Sequence, residues 1–202
     1  MIRTAASLVS WVLHPLLMPA VVFLVIASVN PSLIQLYIPP FWIFTVILVL
    51  TGILPALNMV LFRMMGTISS LHLPERKDRL MPFMFITMVY LAVTYLFFSK
   101  YPSPSILRLM TLMSAVCAAG TIATVFMKVS IHALSAMAAS VVFACLSGDG
   151  GSPMLLITAV SFCLAGLVMS ARLALDAHTP AEVYTGGTIG AATAWIGMVW
   201  LF

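Results

Sequence analysis

Two histidines stand among the few charged residues of this chain, and each has basic neighbours. His132 follows Lys128-Val129-Ser130-Ile131, and His178 lies between Arg172 and Glu182, with Asp176 in the same stretch. A further charged segment reads Pro74-Glu75-Arg76-Lys77-Asp78-Arg79-Leu80-Met81-Pro82. These three segments hold most of the acids and bases. Each leads into a predicted helix. Pro82 suits a first helical position, Ser130 suits an N-cap, and Thr179-Pro180-Ala181-Glu182 reads as a capping box. The first backbone N–H groups of a helix have no partner within it and carry positive partial charge, so they attract anions. Arginine's planar fork matches phosphate oxygens. Three helix starts with Arg and Lys beside them describe a phosphate cradle.

The elements that must hold these groups are membrane helices. The 202 residues are 63% hydrophobic and 7% charged, against about 25% charged in an ordinary soluble domain. Several apolar runs reach the roughly 20 residues that a helix needs to cross a bilayer. Seven spans are predicted: Leu8–Ser28, Pro40–Phe62, Pro82–Ser99, Ser105–Met127, Ile131–Leu146, Pro153–Ala171 and Val183–Phe202. The expected fold is an all-α integral membrane protein, a bundle of six to seven transmembrane helices forming one domain over residues 1–202. The first apolar run passes Ala27 without a small-residue cleavage site, so it reads as a retained helix rather than a signal peptide. Pro15, Pro19 and Pro55 fall inside spans and predict kinks. Trp11, Trp42 and Trp200 fall near span ends, as interfacial anchors do. Cys117, Cys145 and Cys163 read as small buried hydrophobes. Gly186, Gly190 and Ala194 form a small-residue stripe that suits close internal helix packing.

Two spans separate the first charged segment from the second, and two separate the second from the third. An even number of crossings returns the chain to the same side, so all three segments can share one face. Other readings of the residues stay open. The charges suit a solvated loop face obeying the positive-inside rule, although histidines at membrane depth usually mark function. Glu182 suits a capping-box partner of Thr179, His132 a helix-start residue and His178 a loop cap. His14 and His72 read as structural or interfacial, and Asp78 and Asp176 as local partners of bases.

Arg172-x5-His178-x3-Glu182, preceded by Ser130-x-His132 and by the bases before Pro82, resembles the type 2 phosphatidic acid phosphatase superfamily in order and direction. The stretch from Ala171 to Tyr184 is similar to small bacterial members. Met81 stands where that family has its second basic residue, before Pro82. Val129 and Ile131 replace the proline and glycine around its serine, Ala171 replaces a serine, and Glu182 an aspartate. The resemblance implies a membrane phosphatase acting on lipid phosphates or diphosphates. It makes His178 the nucleophile, Glu182 its orienting acceptor and His132 the proton donor to the leaving oxygen. It gives phosphate binding to Arg172, Ser130 and Lys128, with Arg76, Lys77 or Arg79, and places the protein as a multi-pass protein of a bacterial cytoplasmic membrane. Lipid tails then enter from the bilayer. No cofactor, metal or nucleic-acid partner is expected, because a site this basic offers few oxygen ligands to a cation such as Mg²⁺. The rival functions are a catalytically silent lipid-phosphate binder and a transporter, in which intramembrane charge would mark an ion path.

Overall fold

The structure is a computed structural model describing residues 1–31, 34, 39–70, 73, 77–100 and 103–201, with the side chains of residues 77 and 149–152 outside the description. Regular structure among the described residues is helical throughout. In chain order the elements are α1 (Ile2–Val12), a 3-10 turn (Pro15–Leu17), α2 (Met18–Val29), α3 (Pro40–Ile47), a π-helical segment (Leu48–Ile53), α4 (Leu54–Met64), α5 (Lys77–Lys100), α6 (Pro104–Phe126), α7 (Ile131–Ala174) and α8 (Pro180–Leu201).

Six segments are long and apolar enough to cross a membrane: Ile2–Val29, Pro40–Met64, Asp78–Lys100, Pro104–Phe126, Ile131–Gly148 and Pro153–Ala174. The outward surfaces are apolar too, with Leu156 67% and Trp200 84% exposed. A surface of this kind is stable against lipid and not against water. The chain is therefore an all-α integral membrane protein with at least six crossing-length segments. The seventh predicted span lies within α8, which has the length of a crossing helix but is not among these six segments. Cys145 and Cys163 also differ from expectation: both are exposed on outward helix faces rather than buried.

Packing divides the chain into two compact units, Pro19–Lys128 and the pair Met1–Met18 with Val129–Phe202. In the first unit, Pro55 acts on the helix as its missing N–H requires. It cannot bond the Thr51 carbonyl one turn back. The helix widens into the π segment just before it, and the Tyr90 hydroxyl donates to that carbonyl at 3.3 Å. Helices α5 and α6 are joined by hydroxyl pairs, Thr87 with Thr121 at 2.7 Å and Thr94 with Ser114 at 2.8 Å. Seven residues forward on one helix match seven back on the other, so the two are antiparallel. Extending that register brings Arg79, at the start of α5, level with Lys128, just beyond α6. Pro82 was expected to open this helix. Instead α5 begins at Lys77 and Pro82 lies inside it.

In the second unit, α7 runs as one helical element of 44 residues, which if straight would be about 66 Å long. Yet the Ser130 amide donates to the Glu182 carbonyl at 3.1 Å. The eight residues from Ala174 to Glu182 span at most about 29 Å. Helix α7 must therefore double back between its two apolar arms, Ile131–Gly148 and Pro153–Ala174. Its core agrees, since Ala136 of one arm packs with Ala165 and Val168 of the other, and Val9 and Leu13 of α1 cover them. The small-residue stripe of α8 packs inside this unit, as its spacing predicts. A Cβ added at Gly186 would lie 2.5 Å from the Ser130 carbonyl oxygen, and one at Gly190 2.0 Å from that of Leu134.

Candidate functional site

The doubling of α7 brings the second and third charged segments together. Helix α7 starts at Ser130, whose hydroxyl accepts from the Ala133 amide at 3.4 Å as the predicted N-cap. Ser130 is fully buried. With its amide on Glu182, it joins the start of α7 to the start of α8. His132 follows one residue into the helix. The other arm ends in Arg172, in the last turn of α7, where a cation meets the negative end of the helix. The chain then turns through Asp176, which takes a left-handed φ of 53°, and reaches His178 just before α8.

His178 and Glu182 sit one helical turn apart, and the spacing puts them on one face. The Nδ1–H of His178 donates to Glu182 Oε2 at 2.6 Å, with the imidazole side chain 4% exposed and the carboxylate 18%. The expected capping box forms on one side: the Glu182 amide donates to Thr179 Oγ1 at 3.4 Å. The carboxylate itself turns to His178. A short, buried, charge-assisted bond of this kind fixes which ring nitrogen carries hydrogen and where the ring points.

His132 is oriented by a group that sequence reasoning did not single out. Its Nε2 lies 3.2 Å from the Ser10 carbonyl oxygen. The ring of His14 meets it edge-on, with centroids 5.3 Å apart and planes at 82°. His14 in turn packs against Trp11 and accepts the Leu16 amide on Nδ1 at 3.3 Å. Arg172 and His178 belong to the same packed unit as this His14–His132 pair. Two polar atoms here are buried without a hydrogen-bond partner among the described residues, Ser10 Oγ and Arg172 Nε. Asp176 was expected to pair with a neighbouring base; it pairs instead with Arg3, at the far end of the chain, in an exposed contact.

Of the predicted site residues, His178, Glu182, His132, Arg172 and Ser130 belong to this one unit. Lys128, Arg79 and Lys77 belong to the other. There Arg79 is buried and its Nε donates to the Leu73 carbonyl at 2.8 Å. Arg76 lies outside the described residues, as does the side chain of Lys77. Among the described residues no three of His, Cys, Asp or Glu are grouped as metal ligands. The residues that sequence reasoning missed, Ser10 and His14, carried one usable signal: a histidine within an apolar span, immediately before a proline.

No protein-family model matches this chain, and neither does any curated protein or solved structure with which it was compared.

Proposed function

We propose that the protein is a membrane phosphatase of lipid phosphates or diphosphates, working through a phosphohistidine on His178. The observation that carries this reading is the buried His178–Glu182 pair at 2.6 Å, set where the Ser130–Glu182 backbone bond joins the starts of α7 and α8, in the same unit as His132 and Arg172. Nδ1 of His178 faces the carboxylate, which makes Nε2 the attacking nitrogen. As the Nε2–P bond forms and the P–O bond to the lipid breaks, the leaving oxygen takes a proton from His132. Water then attacks the phosphohistidine, returns a proton to His132 and releases phosphate. Glu182 steadies the charge that His178 gains in the first step, as an acidic orienter does in other triads.

Arg172 supplies the anion binding. Its buried Nε–H has no acceptor among the described residues, and a phosphoryl oxygen is the kind of acceptor a guanidinium is built to meet. The resemblance to small bacterial lipid phosphatases supports a place in a bacterial cytoplasmic membrane and a substrate whose tails remain in the bilayer.

The test is phosphate release by the purified full chain in detergent, with excess chelator present. The substrates are phosphatidic acid, phosphatidylglycerol phosphate, a polyprenyl diphosphate and a lipid A phosphate. Release from at least one, inhibited by vanadate and absent in His178→Ala, is the expected result. Tight binding of a lipid phosphate without release would make the protein a silent binder. Loss of release in chelator, restored by Mg²⁺, would overturn the metal-free mechanism.

A further inference from the structure

Helix α1 ends where it does because of Pro15. A residue before proline is pushed out of helical geometry, and His14 is extended, with φ −70° and ψ 135°. Had the helix continued, the His14 amide would have bonded the Ser10 carbonyl, one turn back. Termination leaves that carbonyl without its helical partner, and Nε2 of His132 donates to it at 3.2 Å. The same extended turn swings the His14 ring onto the edge of His132. At its other end α1 is fastened by Arg3 to Asp176, two residues before His178.

We propose that the end of α1 positions His132 for proton transfer. Its Ser10 carbonyl and His14 ring do for His132 what Glu182 does for His178. This rests on the phosphatase reading above. With Nε2–H held by the Ser10 carbonyl, Nδ1 is the nitrogen that works. In the first step His132, protonated when the anionic phosphate is bound beside it, gives its Nδ1 proton to the leaving oxygen as the P–O bond breaks. In the second, neutral Nδ1 takes a proton from the water that attacks phosphorus. Nε2 keeps its hydrogen throughout, so the ring neither flips nor changes partner between the steps. Ser10 is 5% exposed, so water does not compete for the contact. His14 and Ser10 thus count as positioning residues.

A proton donor matters most when the leaving group is poor, and this separates positioning from mere packing. Three full-length variants test it, each assayed with an alkyl lipid phosphate and with p-nitrophenyl phosphate, whose leaving group needs little protonation. His14→Asn keeps a side-chain acceptor for the Leu16 amide but removes the ring. His14→Ala removes both. Pro15→Ala lets the helix run on, so that the His14 amide reclaims the Ser10 carbonyl. In all three, kcat on the alkyl substrate should fall by at least about tenfold more than kcat on the aryl substrate, toward the range that general acids contribute. Equal losses on both substrates would reduce α1 to a structural support, and no loss would make it a spectator. Aryl turnover also reports that each variant has folded. If the unmodified protein releases phosphate from none of the lipid substrates named above and not from p-nitrophenyl phosphate, the phosphatase reading fails and takes this proposal with it. An active protein whose variants show no split overturns this proposal alone.

Discussion

The two units treat their polar groups differently. Within Pro19–Lys128, most polar side chains inside the apolar helices meet one another or their own backbone, and Asn58 Oδ1 is buried without a hydrogen-bond partner among the described residues. Thr87 meets Thr121, Thr94 meets Ser114, and Tyr90 reaches the Thr51 carbonyl. Thr45, Thr51, Thr111 and Thr124 each donate to the carbonyl one turn back. In the unit made of the two chain ends, three histidines, Glu182 and Arg172 are gathered at one place. Among the described residues Ser10 Oγ and Arg172 Nε are left without a partner there. The hydroxyls of the first unit are neutral and cheaply satisfied, and they join helices. The second unit gathers several ionisable groups in a largely buried setting, where unpaired polar groups are costly.

The comparison breaks most sharply at the histidine. His178→Ala should abolish phosphate release while the protein still purifies as a monodisperse species by gel filtration. Normal turnover by this variant would falsify the nucleophile. Glu182→Gln comes next. Glutamine retains an acceptor oxygen but no charge, so stability should drop by up to about 2 kcal/mol, as for a partly buried charge at a helix end. Turnover should drop by about 10²–10⁴-fold. A variant that melts early yet turns over normally would make Glu182 a structural residue, with the orientation of His178 owed to something else.

Gly190→Ala probes the frame rather than the chemistry. Its Cβ would stand 2.0 Å from a backbone oxygen, and backbone cannot swing aside as a side chain does. A cost of about 1–3 kcal/mol is expected from overpacking, read as a lower melting temperature. An unchanged melting point would mean that α8 does not lie against α7 at this spacing. The smallest effect belongs to the other unit. Thr94→Ala and Ser114→Ala, combined in a double-mutant cycle, should couple by about 0.6 kcal/mol, the average for such bonds within membranes. Turnover should be unaffected. A loss of activity there would erase the division of labour between the units.

Much of this arrangement was legible from the chain because it depends on short spacings. His178 and Glu182 are four apart, and a helix start announced by Thr179 and Pro180 fixes their common face. Ser130 announces the start of α7 in the same way. The apolar runs gave the crossing segments, and the even crossing count anticipated that the His132 and His178 segments would meet. What could not be read depends on long-range contact. Nothing local to Asp176 points to Arg3, and nothing local to His132 points to Ser10. Pro55 signalled a disturbed helix, but its form, a π segment relieved by Tyr90, depends on a residue from another helix. Pro82 misled because a proline near the start of a helix can sit at its first position or, with one backbone hydrogen bond lost, several residues within.

The order in which the chain is made gives the α1 contact a history. Ser10 and His132 are 122 residues apart, and a ribosome adding 5–20 residues per second needs about 6–24 s to cover that distance. For that interval His14 and the Ser10 carbonyl have been made while the helix that will meet them does not yet exist. The amphipathic first helix therefore waits, with its polar edge uncovered, for the last third of the protein to arrive. Its packing in this unit depends on the segment that begins at Val129, and a ribosome stalled before His132 would leave a nascent chain whose first helix is still without that partner.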